Sequence, residues 1–186
     1  MVEDICFHLI DLVQNSVAAG AKNIHLNIKE SKNQDTLTLE VADDGRGMDK
    51  QTLERVQDPF FTTKSFKKVG LGIPLLKATA QICRGDFTIH SAVGRGSEVK
   101  ASMQSSHLDC PPLGNLEETL LSLLVSLDQV NLQFFYRSDR GEFSVSSSAI
   151  RQQVGELHFS HPDVYHFLKE YIHEGLGQIL ASAEIS

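Results

Sequence analysis

The sequence predicts an α+β fold, and three observations carry that prediction. An apolar-periodic helix is followed by two alternating strands, and a second helix with two more strands comes after a glycine-rich stretch. A Leu-rich helix, a hairpin and a long last helix follow a double proline. With 41% hydrophobic and 22% charged residues among 186, the chain has enough apolar side chains to bury a core.

Each element has a local reason. Residues 2–19 read as a helix, with Ile5, Leu9, Leu12, Val13 and Val17 on one side and His8, Asp11, Asn15 and Ala18 on the other. Residues 24–28 and 36–41 alternate as strands around a polar turn at 32–35. Pro74 belongs in the first turn of a helix running to Cys83, where its missing N–H costs nothing, and Gly85 ends that helix. Residues 86–90 and 97–103 follow as strands. Beyond Pro111-Pro112, Asn115 with Glu118 resembles a capping box opening a helix to Leu127. Residues 130–137 and 142–146 form a predicted hairpin through Asp139-Arg140-Gly141, and a last helix spans about 163–180. In that helix Val164, Phe167, Leu168, Tyr171, Ile172, Leu176, Ile179 and Leu180 fall at helical spacing, a face expected to pack on the hairpin or on the first hundred residues.

Charge divides the chain unevenly. Residues 1–104 balance 13 basic against 13 acidic residues, whereas residues 105–186 hold 4 against 11 and carry the whole net charge of −7. Neither part has the basic footprint of a nucleic-acid binder, and the acidic part disfavours anionic membranes, which leaves a protein as the expected large partner. No apolar run reaches the ~20 residues that cross a bilayer, so membrane insertion is not expected. Glu3 and Asp4 stand where a secretory leader carries positive charge, and a cytoplasmic location is expected. The three cysteines, Cys6, Cys83 and Cys110, are odd in number and far apart, a pattern that predicts reduced thiols rather than disulfides or a zinc site. His158, His161, His166 and His173 are read as solvated or capping side chains rather than metal ligands.

Five segments carry chemistry. The polar side of the first helix presents His8, Asp11 and Asn15. Asp43-Asp44-Gly45-Arg46-Gly47-Met48 sets a carboxylate at a strand end before two glycines, which let backbone approach a flat ligand while the Asp accepts from an exocyclic amine. Asp58-Pro59-Phe60-Phe61-Thr62-Thr63-Lys64 is an aromatic loop ending in a cation. Val69-Gly70-Leu71-Gly72-Ile73-Pro74 puts glycines before a helix start, whose free N–H groups favour phosphate oxygens. Its spacing is not that of a dinucleotide fingerprint. Val93-Gly94-Arg95-Gly96-Ser97 joins two strands.

In this order the five segments resemble the ATP-binding domain shared by sensor histidine kinases, DNA gyrase B subunits, MutL mismatch-repair proteins and heat-shock chaperones of the GHKL superfamily. The aromatic loop with Gly70 and Gly72 is similar to the phenylalanine box and second glycine box of histidine kinases, and residues 8–24 with 43–48 are closer to the MutL type. The resemblance covers residues 1–104. It implies a two-layer α/β sandwich of the Bergerat type, with a mixed, mostly antiparallel sheet and helices on one face. It also implies ATP or ADP with Mg²⁺ as ligand. Asn15 would then hold Mg²⁺ between the phosphates, and Asp43 would accept from the adenine amine. Gly45 and Gly47 would shape the base pocket with support from Ser97. Lys64 and the backbone of Gly70, Leu71 and Gly72 would meet the phosphates.

One departure bears on activity. Where gyrase-like and MutL-like relatives have a general-base Glu four residues before the metal Asn, this chain has the shorter Asp11. The expected organisation is an ATP-binding domain over 1–104, a linker over 105–114 and a small acidic α/β module over 115–186 for docking or regulation. Three functions stay open: a nucleotide-dependent regulator of a protein partner; a slow ATPase or a serine/threonine kinase resembling anti-sigma factors; and a nucleotide-binding accessory subunit of a multisubunit redox complex. The last follows a resemblance to stand-alone proteins encoded beside iron hydrogenases.

Overall fold

A computed structural model describes residues 4–58, 72–127 and 129–180. In chain order the elements are α1 (Ile5–Ala18), β1 (Asn23–Ser31), β2 (Thr36–Asp43), α2 (Lys50–Arg55), α3 (Gly72–Ile82), β3 (Phe87–Ala92), β4 (Gly96–Gln104), α4 (Leu116–Ser126), β5 (Asn131–Ser138), β6 (Gly141–Ser146), α5 (Ser147–Val154) and α6 (Pro162–Leu180). The strands make one six-stranded sheet in the order β3-β4-β2-β1-β5-β6. All neighbours are antiparallel except β1 and β5, which run parallel. The mixed, mostly antiparallel sheet of the sequence expectation is therefore present.

Strand alternation decides which face is buried. Leu37, Leu39 and Val41 of β2 register beside Ile28, Leu26, Val99, Ala101 and Met103 of the flanking strands, all of them buried. The same face continues through Leu132, Phe134 and Tyr136 of β5 to Val145 and Phe143 of β6. Four helices lie over it: α1 packs against α3, α4 and β2, and α6 against α4 and β6. The opposite face carries polar residues such as His25, Asn27, Lys29, Thr38, Glu40, Glu98 and Lys100, with Asn27 Nδ2 donating to Glu40 Oε1 at 3.2 Å.

The sheet crosses the boundary that the sequence placed at 105–114. One apolar core joins Ile24, Leu26 and Ile28 of β1 to Leu132, Phe134 and Tyr136 of β5 and to Leu168 and Ile172 of α6. Residues 105–114 act as a strap between helices rather than a free linker. Ser105, Ser106 and Gln104 donate to the Asp35 carboxylate over 2.6–2.9 Å. Further on, the carbonyls of Pro112 and Leu113 accept from Ile5 N–H and Cys6 N–H at 3.0 and 3.1 Å, satisfying donors that the first turn of α1 leaves open. Residues 115–180 thus complete the sheet of residues 4–104, in place of the separate module expected.

Other departures are local. Val17 is 40% exposed, and His8, assigned to the polar side of α1, is buried with its Nε2 3.3 Å from Thr79 Oγ1. In α6, Val164, Leu168, Ile172 and Leu176 are buried, but Phe167 and Tyr171 stay 43% and 41% exposed, stacked on each other at 6.0 Å beside β6. His166 sits 3.2 Å from Glu170, and His173 bonds Glu117 of α4 at 2.9 Å. Asn115 caps α4 by accepting from Glu118 N–H at 3.1 Å.

Candidate functional site

Asp43 is the next residue in the alternation that buries Leu37, Leu39 and Val41, so its side chain stands on the helix side of the sheet, at the end of β2. Two donors fix it. Ser16 Oγ donates to Oδ2 at 2.8 Å, and Gly45 N–H donates to Oδ1 at 2.8 Å. Each oxygen keeps a lone pair for a further donor, so the carboxylate is held in place yet able to read an amine. Directly across the ladder stands Ser97. Its hydroxyl lies 2.9 Å from that of Ser91, which donates to the Gly96 carbonyl at 2.8 Å and accepts from Met48 N–H at 2.9 Å.

The glycines of this corner have stated reasons. Gly47 has φ +65°, and a Cβ there would overlap the Ala92 carbonyl. Gly96 has φ +81°, and a Cβ there would overlap the carbonyl of Asp43 itself. Gly45 is packed against Ala19 and the Asp43 carboxylate. The 44–48 turn is pinned on both sides, by Arg46 N–H to Ala19 O at 2.9 Å and by Gly94 N–H to Arg46 O at 2.8 Å. Beneath it, Asp44 accepts from Lys22 N–H, Asn23 N–H and Asn23 Nδ2 at 2.7–2.9 Å, and these bonds hold its carboxyl below the usual range.

Along α1, Asp11 and Asn15 are one turn apart and both half-buried. Gly72 opens α3 against Asp11: a methyl group in its place would stand 3.2 Å from Asp11 Oδ2. Asp11 therefore borders the helix N-terminus at which the resemblance sets phosphates. Thus Asp43, Gly45, Gly47 and Ser97 form one corner, and Asp11 meets Gly72. The expected residues Lys64, Gly70 and Leu71, like the aromatic loop from Pro59 onward, lie outside the described residues. Ser16, Ser91 and Gly96 were not singled out as site residues. The signal for Gly96 was available in the Gly-Arg-Gly-Ser turn, and Ser16 adjoins Asn15; nothing local marks Ser91.

Comparison with known proteins gives the same picture. The chain is 31% identical over 88 residues to sporulation kinase C of Bacillus subtilis, covering 47% of this chain and 20% of that protein. It is 40% identical over 57 residues to the sensor protein kinase FleS of Pseudomonas aeruginosa, covering 31% and 14%. It spans a fifth or less of these relatives' length. Among solved structures, the N-terminal domain of a DNA repair protein matches with a TM-score of 0.51 at 13% identity, over 77% of this chain and 51% of that one, a likeness of fold. No helix among the described residues is long and apolar enough to cross a membrane. The family model of the histidine kinase-, DNA gyrase B- and HSP90-like ATPases matches residues 3–107. The chain belongs to this ATPase family, and that membership implies ATP binding.

Proposed function

We propose that the protein binds ATP or ADP with Mg²⁺ and uses the bound nucleotide to regulate or support a protein partner. The observation that carries the reading is Asp43, a carboxylate fixed by Ser16 and Gly45 with acceptor capacity left for the adenine amine. The residues suit the ligand: Gly45, Gly47 and Ser97 border the base position, and Asn15 offers a hard amide oxygen for Mg²⁺. Lys64, Gly70 and Leu71 complete the proposed phosphate contacts with Gly72. Thermal unfolding with and without Mg-ADP tests the binding. A Tm that rises with nucleotide concentration is expected, and an unchanged Tm at millimolar nucleotide contradicts the reading.

The docking part rests on the acidic excess of residues 105–186. Because β5 and β6 extend the shared sheet, charge-reversing substitutions of exposed acids such as Glu170 and Glu174 probe it better than truncation. Partner capture from the native organism with and without ATP should then change with nucleotide and fall in those variants.

A second reading, slow ATP turnover or phosphoryl transfer to a serine or threonine, is favoured by the position of Asp11 beside Gly72. A base needs to lie within roughly 2.6–3.2 Å of the attacking water or one water away. Asp11 is one methylene shorter than Glu, so turnover is expected far below the ~10 s⁻¹ enzyme median. In a phosphate-release assay Asp11→Glu should raise the rate and Asp11→Asn abolish it. If neither changes the rate, Asp11 is not the base.

A further inference from the structure

We propose that Cys83 and Cys110 form a reversible disulfide that staples the C-terminal end of α3 to the strap over residues 105–114. Twenty-six residues separate them in sequence, but the fold brings Cys83 against Asp109, the neighbour of Cys110. Cys83 follows the last turn of α3, fully buried, with its N–H bonded to Thr79 O at 3.0 Å and its carbonyl accepting from Gln104 N–H at 2.8 Å. Its Sγ donates to the carbonyl of Asp109 at 3.5 Å, and the next residue along the strap is Cys110. Cys110 is half-buried and lines a surface recess with His8, Thr79, Ile82, Leu108 and Pro111. Cys110 is thus the more exposed of the pair and takes the attacking role, with buried Cys83 as the resolving thiol. Cys6, the third cysteine, is buried in α1 and hydrogen-bonds Thr119 of α4.

The placement gives the bond a mechanical meaning. The strap that carries Cys110 continues to Pro112 and Leu113, which hold the first turn of α1. The helix that Cys83 follows begins at Gly72, against Asp11 of α1. A Cys83–Cys110 bond would close a ring around β3 and β4 and fix the strap to one of the two helices that border the site. Exchange with a small disulfide such as oxidised glutathione balances the chemistry. The Cys110 thiolate attacks one glutathione sulfur, the glutathione S–S bond breaks, and the first glutathione leaves and takes up a proton. Cys83 then loses its proton, attacks the Cys110 sulfur and expels the second glutathione. Two protein thiols are oxidised and one glutathione disulfide is reduced to two thiols. Burial pushes both thiols up, Cys110 to about 11, with Asp35 adding to the effect at Cys110 and Asp109 at Cys83. Asp109 and His8 also line the recess, and His107 stands 3.8 Å from the Asp109 carboxylate. Oxidation is thus slow at neutral pH and quickens as pH rises, because the thiolate is the nucleophile.

The test incubates the folded full chain with oxidised glutathione at pH 8.5, then counts free thiols and maps cross-links by peptide mass. Wild type should fall from three thiols to one with a Cys83–Cys110 peptide pair, and Cys6→Ala should fall from two to none. Dithiothreitol should restore both counts. Thermal unfolding of the oxidised form should rise by about 5–10 °C. Cys110→Ala, the milder of the two removals, should keep both remaining thiols free of any intramolecular bond. Three free thiols after prolonged incubation, a stable glutathione adduct on Cys110 that Cys83 never resolves, or a cross-link to Cys6 would each overturn the proposal.

Discussion

The two ends of the sheet follow different rules. On the β2–β4 side, side chains that alternation would bury are polar at the strand ends: Asp43, Ser97 and Ser91 line up across three strands, and glycines with positive φ bring backbone against backbone. On the β5–β6 side the same face is built of large apolar and aromatic side chains, Leu132, Phe134, Tyr136, Phe143 and Val145, with only the Tyr136 hydroxyl polar, donating to Glu30 at 2.8 Å. The first region sets polar groups that answer one another at half-buried positions; the second contributes apolar area and covers the edge that β1 would otherwise expose. Answering polar groups are concentrated at one end of the sheet, and cohesion is shared by both.

Removing residues 105–186 should have the largest effect on this division. It uncovers the β1 edge, strips Ile24, Leu26 and Ile28 of their β5 neighbours and removes the strap that holds α1. The fragment 1–104 is expected to lack a cooperative thermal transition and to aggregate. A folded fragment that keeps its nucleotide affinity would show the two ends to be independent.

Phe134→Ala should be next. The ring is 2% exposed between β1 and β6, and truncating a buried Phe costs about 3–5 kcal/mol. Denaturant unfolding should show one transition, shifted equally for probes at either end of the sheet. Two separated transitions would break the comparison in favour of separate units.

A smaller effect is expected at Asp35, which anchors the strap. Hydrogen bonds from Ser106, Gln104 and Ser105 hold its carboxyl far below the usual range. Because the folded form is the one with the depressed value, its stabilisation is present above the unfolded value of about 3.9 and is lost as pH falls below it. Wild type should lose stability below about pH 4, and Asp35→Asn should flatten that loss in acid unfolding followed by circular dichroism. An unchanged acid profile would remove Asp35 as an anchor.

Much of this was legible in sequence where the signal is local. Asp43 could be placed because a strand period leads into Asp-x-Gly-x-Gly, and α3 because Pro74 and Gly85 bracket an apolar run. The two missed helices carry little apolar signal: α2 buries none of its six residues, and α5 buries only Ser147 and Ile150. The parallel pairing of β1 with β5 joins residues as far apart as Asn23 and Asn131, and no local pattern encodes it. The meeting of Cys83 with the 105–114 strap was hidden for the same reason, as was the exposure of Phe167 and Tyr171, whose spacing is that of a buried stripe.

The central claim is that the polar end of the sheet reads an adenine nucleotide through Asp43. Calorimetric titration of Mg-ADP into wild type and Asp43→Asn tests it most directly. The amide can keep the contacts to Ser16 and Gly45 but loses the charge, so affinity should fall by about 1.5–3 kcal/mol while the thermal transition of the free protein moves little. Equal affinity in the two proteins would contradict the claim and take Asp43 out of the site.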